Sequence, residues 1–190
     1  AKSASITDLI TAVDYARNRP DVVAISMSWG ASEFSGQTTY DTHFLSSYGA
    51  SFFASSGDTG GVISWPSSSA NVISVGGTTL TQSGSSYSET AWSGSGGGVS
   101  TIETKPAYQT SLTYTTRVTP DVAYNADPAT GFLVYDSYGI QGQKGWFAVG
   151  GTSAGAPQWA AIQAIGKSAT NANFYAGYPQ SYGIDFTDIA

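Results

Sequence analysis

Apolar residues recur in different rhythms along the chain, and each rhythm predicts a different element. Ser5-Ile6-Thr7-Asp8 resembles a capping box, and Ile6, Leu9, Ile10 and Val13 continue it at helical spacing, so a helix is expected up to Arg19-Pro20. VVAISMS (22–28) is a mostly apolar run, the pattern of a strand buried on both faces. Tyr40, Phe44, Leu45 and Tyr48 predict a second helix over 40–48, and SFFAS (51–55) and NVISV (71–75) predict two more buried strands. Strands alternating with helices imply a parallel sheet with right-handed crossovers, an α/β fold.

Residues 84–150 change rhythm. Gly-rich turns separate short aromatic strands such as GFLVYD (131–136) and GWFAV (145–149), which predict hairpins packed on one edge of the main sheet. From Ser153 to Ile165 a helix is expected whose Ala156, Trp159, Ala160, Ala161, Ile162, Ala164 and Ile165 are apolar nearly all round, as in the centre of a domain. Gly166 and Lys167 end it. No internal repeat or low-complexity linker divides the chain, and 190 residues fit one domain, 1–190.

Composition narrows the function classes. Only 11% of residues are charged and the net charge is −6. A polar but weakly charged surface suits work outside the cell, in acid, where a lysine-rich surface would repel itself. The seven basic residues are scattered, which argues against nucleic acid. With no cysteine there is no disulfide, thiolate metal site or cysteine nucleophile. No apolar run approaches the roughly 20 residues that span a bilayer. AKSASITDL has neither the basic nor the apolar region of a signal peptide, so a secreted protein is represented here by a mature or processed form.

Two segments carry candidate chemistry. Gly150-Gly151-Thr152-Ser153-Ala154-Gly155-Ala156-Pro157 follows a predicted strand and opens the apolar helix. A serine in a first helical turn sits among unpaired N–H groups at the positive end of the dipole, which can hold the oxyanion formed when its hydroxyl attacks a carbonyl. The same serine can equally serve as an N-cap. Ser55-Ser56-Gly57-Asp58-Thr59-Gly60-Gly61 lies at the carboxyl end of a predicted strand, where open parallel sheets bind ligands; Asp58 is either part of a site or a turn-former.

These two segments, the strand SMSWG ending in Trp29-Gly30, and the segments WPSSSANVISVGGT, ETAWSGSGGGVS and TPDVAYNADPATGF resemble the sedolisins, the serine-carboxyl peptidases, in order and over nearly the whole chain. The resemblance implies a subtilisin-like parallel sheet flanked by helices, with additional hairpins, incomplete at both ends relative to the family. It implies a secreted endopeptidase acting on polypeptide at acid pH, with Ser153 as nucleophile and Asp58 in the oxyanion hole. It also implies that Trp29 supports the catalytic carboxylates, although core packing accounts for a tryptophan equally well. Gly96-Gly97-Gly98 and Ser95 resemble the strand lining the substrate channel, or form a plain turn.

The sequence departs from the family in one essential part. The family's base pair, a Glu and an Asp one helical turn later, precedes the SxSWG strand, and Asp8 and Asp14 do not form that pattern. The pair is expected on another chain or on polypeptide outside this sequence; otherwise the chain is a non-catalytic secreted binding or structural relative. Asp188 and Ile189 match the start of the family's calcium site, two ligands where calcium takes about six to eight oxygens; Asp188 can alternatively cap a turn. His43, the single histidine, lies in a predicted amphipathic helix and reads as structural, although a Ser/His/Asp triad would have to use it. Glu33 follows Trp29 near the expected cleft, and Arg117, Asp121 and Asp127 read as an ion pair shaping a hairpin.

Overall fold

The first helix forms where its cap and apolar stripe place it. In the computed structural model, which describes residues 1–190 except 141, 167, 185, 186, 188 and 190, α1 spans Ile6–Arg17, and the Ser5 hydroxyl accepts from the Asp8 N–H at 3.3 Å. Ile10 and Val13 are its buried positions. Ser5→Ala is expected to cost about 1 kcal/mol, read as a lower urea midpoint at unchanged slope.

Next come β1 (Ala24–Met27), the short β2 (Ala31–Ser32), a 3-10 helix (Gln37–Phe44), β3 (Ser51–Ser55), β4 (Ser64–Trp65), β5 (Ile73–Ser83) and β6 (Ser86–Ala91). Then β7 (Gly98–Thr104), β8 (Thr116–Thr119), β9 (Val122–Asn125), β10 (Phe132–Ile140) and β11 (Gln143–Val149) lead to α2 (Thr152–Ala164) and α3 (Asn171–Ser181). β1, β3, β5 and β9 lie side by side in that order, all parallel. Beyond Thr78, β5 forms an antiparallel hairpin with β6.

Strand β3 shows why an unbroken apolar run marks a central strand. Alternate side chains face opposite ways, so Phe52 and Ala54 enter a cluster with Ile10, Val13, Met27, Phe44, Trp65 and Val72, while Phe53 joins Ile73, Val75 and Ala156 under α2. β1 carries a similar run but lies at the sheet edge, with Ser26 exposed, so it is not buried on both faces as expected. The apolar helix α2 packs across β1, β3, β5 and β9. Only one side of it is covered: Thr152, Gly155 and Ala156 are buried, whereas Ser153, Pro157 and Ala161 are exposed. It is a surface helix among the described residues, not the central one its composition suggested.

Two further expectations change. Residues 37–44 form a 3-10 helix rather than an α-helix over 40–48: Gly36 (φ +87°) opens it, Thr38, Thr39 and Thr42 are weak helix formers, and Leu45 is already extended. Its inward side chains Tyr40 and Phe44 lie with Trp29 and Phe34 around the fully buried Trp65 ring, at centroid distances of 5.4–5.8 Å. Leu45 and Tyr48 are exposed. The predicted strands of 131–149 do form a hairpin, but among the described residues β10 and β11 pair with each other and not with the main sheet, where β9 lies beside β5.

Arg117 and Asp121 form the expected ion pair, fully buried, with Nη2 to Oδ2 at 2.5 Å. Asp127 is not part of it. It caps the 3-10 turn Pro128–Thr130, accepting from Ala129 N–H, and its other oxygen accepts from the Thr79 hydroxyl.

Candidate active site at the strand carboxyl ends

Strand β11 ends at Val149, and two glycines turn the chain into α2. Gly151 adopts φ +93°, a left-handed value that favours glycine. A Cβ there would also stand 2.7 Å from Asp58 Oδ2, so this position brings helix and acidic turn into contact. Thr152, the first residue of α2 and fully buried, makes the joint. Its N–H and its hydroxyl both donate to Asp58 Oδ1, at 2.7 and 2.8 Å, and its hydroxyl oxygen accepts from Gly57 N–H at 3.1 Å. Asp58 itself comes from the turn after β3, exposed to solvent, 94 residues earlier in the chain.

That arrangement assigns different tasks to the two carboxyl oxygens. Oδ1 accepts from both donors of Thr152, and Oδ2 is the oxygen facing Gly151. Ser153 follows as an exposed residue in the first turn. Its carbonyl accepts from the Ser28 hydroxyl at 2.9 Å, which fixes the helix start to the end of β1. No described residue hydrogen-bonds to the Ser153 hydroxyl or N–H. The N–H belongs to the positive end of the helix dipole. Ser153 is not the N-cap; that position is Gly151.

The Gly-rich segment lies against the same turn. Gly96 N–H donates to Gly57 O at 2.8 Å, and a Cβ on Gly96 would come within 2.3 Å of Ser56 O. Only glycine permits this approach, which carries Gly96–Gly98 past Asp58 into β7. Trp29 is half-buried just beyond β1, edge-on to Trp65. Glu33 does not join Ser153; it accepts from the Ser100 hydroxyl and from Thr101 N–H at 3.0 Å, anchoring β7.

A family model described as Peptidase S8, the subtilase family, matches residues 1–178. The chain belongs to the subtilase family. Within it, sedolisin of Pseudomonas sp. strain 101 is 31% identical over 199 positions, covering 84% of this chain and 33% of its own, and kumamolisin of Bacillus sp. strain MN-32 is 34% identical over 187 positions, covering 82% and 32%. The chain thus spans about a third of the length of these relatives. A solved structure of Pseudomonas sedolisin, a serine-carboxyl proteinase complexed with two molecules of pseudo-iodotyrostatin, superposes with TM-score 0.79 at 30% identity, over 95% of this chain and 59% of that one. Sphericase, 19% identical with TM-score 0.57, shares the fold.

In this subtilase-family chain His43 makes no hydrogen bond to Ser153. Its Nδ1 pairs with Asp14 at 2.8 Å and Asp14 also takes Arg17, so the histidine staples the 3-10 helix to α1. Burial raises the Asp14 carboxyl, but hydrogen bonds from His43 and Arg17 outweigh it and hold it below the ordinary value. Asp8 accepts from the Ser3 hydroxyl in the first turn of α1. Asp188 lies outside the described residues, and among those described no group of three His, Asp or Glu side chains could hold a metal. Sequence reasoning missed Thr152 and Ser28; the sole local hint was a threonine, a weak helix former, at a helix start.

Proposed function

We propose that the chain is the central and C-terminal part of a serine-type endopeptidase of the sedolisin kind, cleaving peptide bonds in acid through an acyl-enzyme on Ser153. The observation that carries the reading is the grip of Thr152 on Asp58, which puts an orientable carboxyl group beside the exposed serine at the start of a helix. Substrate polypeptide lies extended along Gly96–Gly98 with its scissile carbonyl over that helix start. A carboxylate base takes the hydroxyl proton as Ser153 Oγ adds to the carbonyl carbon; unlike histidine, it still accepts protons at about pH 4. The new negative charge on the carbonyl oxygen is met by Ser153 N–H and by a protonated Asp58 donating from Oδ2, since an ionised Asp58 would repel it. Collapse breaks the C–N bond, and the leaving amine takes the proton back from the base. Water then attacks the ester by the same route in reverse and frees Ser153.

The base is the Glu/Asp pair on polypeptide outside these residues, from the same or another chain, and Trp29 supports it. Two features favour such a covering segment: β1 ends the sheet with Ser26 exposed, and α2 turns Ser153, Pro157 and Ala161 outward. Calcium, if bound at Asp188 and the Ile189 carbonyl, needs its remaining ligands from the same source. An extracellular setting accords with the weakly charged composition, and no helix of the described residues is long and apolar enough to cross a membrane. A non-catalytic secreted binding domain is the second reading, favoured by the lack of a hydrogen-bond partner for the Ser153 hydroxyl among the described residues. Peptide hydrolysis at about pH 4, with Ser153→Ala as control, and covalent capture of a peptide aldehyde on Ser153 decide between them. Cleavage and capture lost in Ser153→Ala are expected; equal results for the two proteins would remove the catalytic reading.

A further inference from the structure

Strand β7 carries the Gly96–Gly98 approach at one end and Glu103 near the other, where the glutamate is only 2% exposed. Three carboxyl groups meet there, and none of them is ion-paired among the described residues. Gln37 Nε2 donates to Glu103 Oε1 at 2.6 Å, to Ser68 Oγ at 3.2 Å and to Glu33 Oε1 at 3.4 Å, so one buried amide joins both glutamates. The third group is Asp41 of the 3-10 helix. It hydrogen-bonds with Glu103, and its Oδ1 accepts from the Ser69 hydroxyl at 2.7 Å. A hydrogen bond between two carboxyl groups exists only while one of them holds a proton; two carboxylates in the same place repel.

The surrounding charges are committed elsewhere. On β8, Arg117 closes on Asp121. Lys105, beyond the end of β7, donates to Thr110 O and Leu112 O. On the 3-10 helix His43 pairs with Asp14, as does Arg17 of α1. No ion pair among the described residues includes Glu33, Asp41 or Glu103.

We propose that Glu103 and Asp41 form a proton latch: sharing a proton they hold β7 on the 3-10 helix, and losing it loosens that strand and the Gly96–Gly98 segment leading into it. The latch would regulate the cleft of the proposed peptidase, and only that consequence rests on the peptidase reading. Burial pushes the Glu103 carboxyl up to about 7, helped by the charges of Asp41 and Glu33 and opposed by the hydrogen bond from Gln37. Burial raises Asp41 as well, against its bonds to Ser69 and Glu103. Because the folded value of Glu103 lies above its ordinary 4.5, the stabilisation is complete below that pH and is lost as pH rises through about 7.

The test is urea unfolding of the chain between about pH 5 and about pH 8, for wild type, Glu103→Gln and Asp41→Asn. Glutamine keeps a donor for Asp41 and an acceptor for Gln37 but cannot ionise. The wild-type folding equilibrium is expected to fall about tenfold or more over this range, with most of that fall removed in Glu103→Gln. Should Glu103→Gln fail to fold, Asp41→Asn removes the opposing charge and is expected to flatten the curve in part, since burial still raises Glu103. A flat wild-type curve, or a variant with the wild-type slope, would overturn the latch. Hydrogen exchange locates the change: β7 amides should lose protection ahead of β3 and β5, and simultaneous loss in all three would overturn the release of β7. None of these readouts depends on catalysis, so an inactive Ser153 leaves them decisive, and a failed latch leaves the peptidase reading untouched.

Discussion

Asp58→Ala is expected to lower kcat for peptide hydrolysis about 10²–10³-fold with little change in KM, the loss that follows removal of one oxyanion donor. The two carboxyl oxygens of Asp58 divide the labour. Thr152 engages Oδ1 with two donors, which leaves Oδ2 for the proton that a catalytic Asp58 needs. Asp58→Asn keeps a donor that cannot ionise and should lose less than the alanine variant. Thr152→Val removes the hydroxyl that holds both Gly57 and Asp58, whereas Thr152→Ser retains it. An intermediate loss in the valine variant with recovery in the serine variant would identify Thr152 as a positioning residue. Steady-state kinetics at about pH 4, with affinity for a peptide aldehyde as a second measure, read these effects. An unchanged kcat in Asp58→Ala would remove Asp58 from the oxyanion hole.

The second large effect concerns stability. Asp121→Ala is expected to cost about 3–5 kcal/mol, because it leaves Arg117 buried and unpaired. Asp121 does more than neutralise a guanidinium: it accepts from Ser74 N–H at 2.8 Å and from the Tyr175 hydroxyl at 3.1 Å, so β5, β8 and α3 converge on one carboxylate. Arg117 also lies over the Tyr108 ring at 5.5 Å. Burial pushes the Tyr175 hydroxyl up to about 12, with the Asp121 charge acting the same way, so that phenol remains a donor across the working range. Replacing both partners with apolar residues should cost less than the single change, since no charge is then stranded. Urea unfolding of the single and double variants measures the difference; a mild effect of Asp121→Ala alone would mean that Arg117 finds water or another partner.

Features fixed within a few residues were legible in the sequence. The Ser5 cap, the continuous apolar run of β3 and the glycine turn into α2 each depend on neighbours three or four positions away, and each lies where its pattern put it. The resemblance to the sedolisins, carried by several separated motifs, located Ser153 and Asp58, and the fold brings their segments together. Local pattern misled where burial depends on what lies opposite. β1 and α2 have the composition of central elements, yet among the described residues one is an edge strand and the other is covered on one side. The same limit applies to Asp127, which left the expected ion pair for a cap, and to residues 37–44, where Gly36 and the threonines favoured the tighter helix.

What the sequence determined by itself was therefore the strands β1, β3 and β5, the starts of α1 and α2, and the family, because propensity, capping and periodicity act over short range. Only the tertiary structure decided that Thr152 would grip a carboxylate 94 residues away, that Ser28 would hold the start of α2, and that Glu103 would meet Asp41. Such contacts follow from strand order and register, which place distant residues side by side without leaving a mark on the neighbours of either.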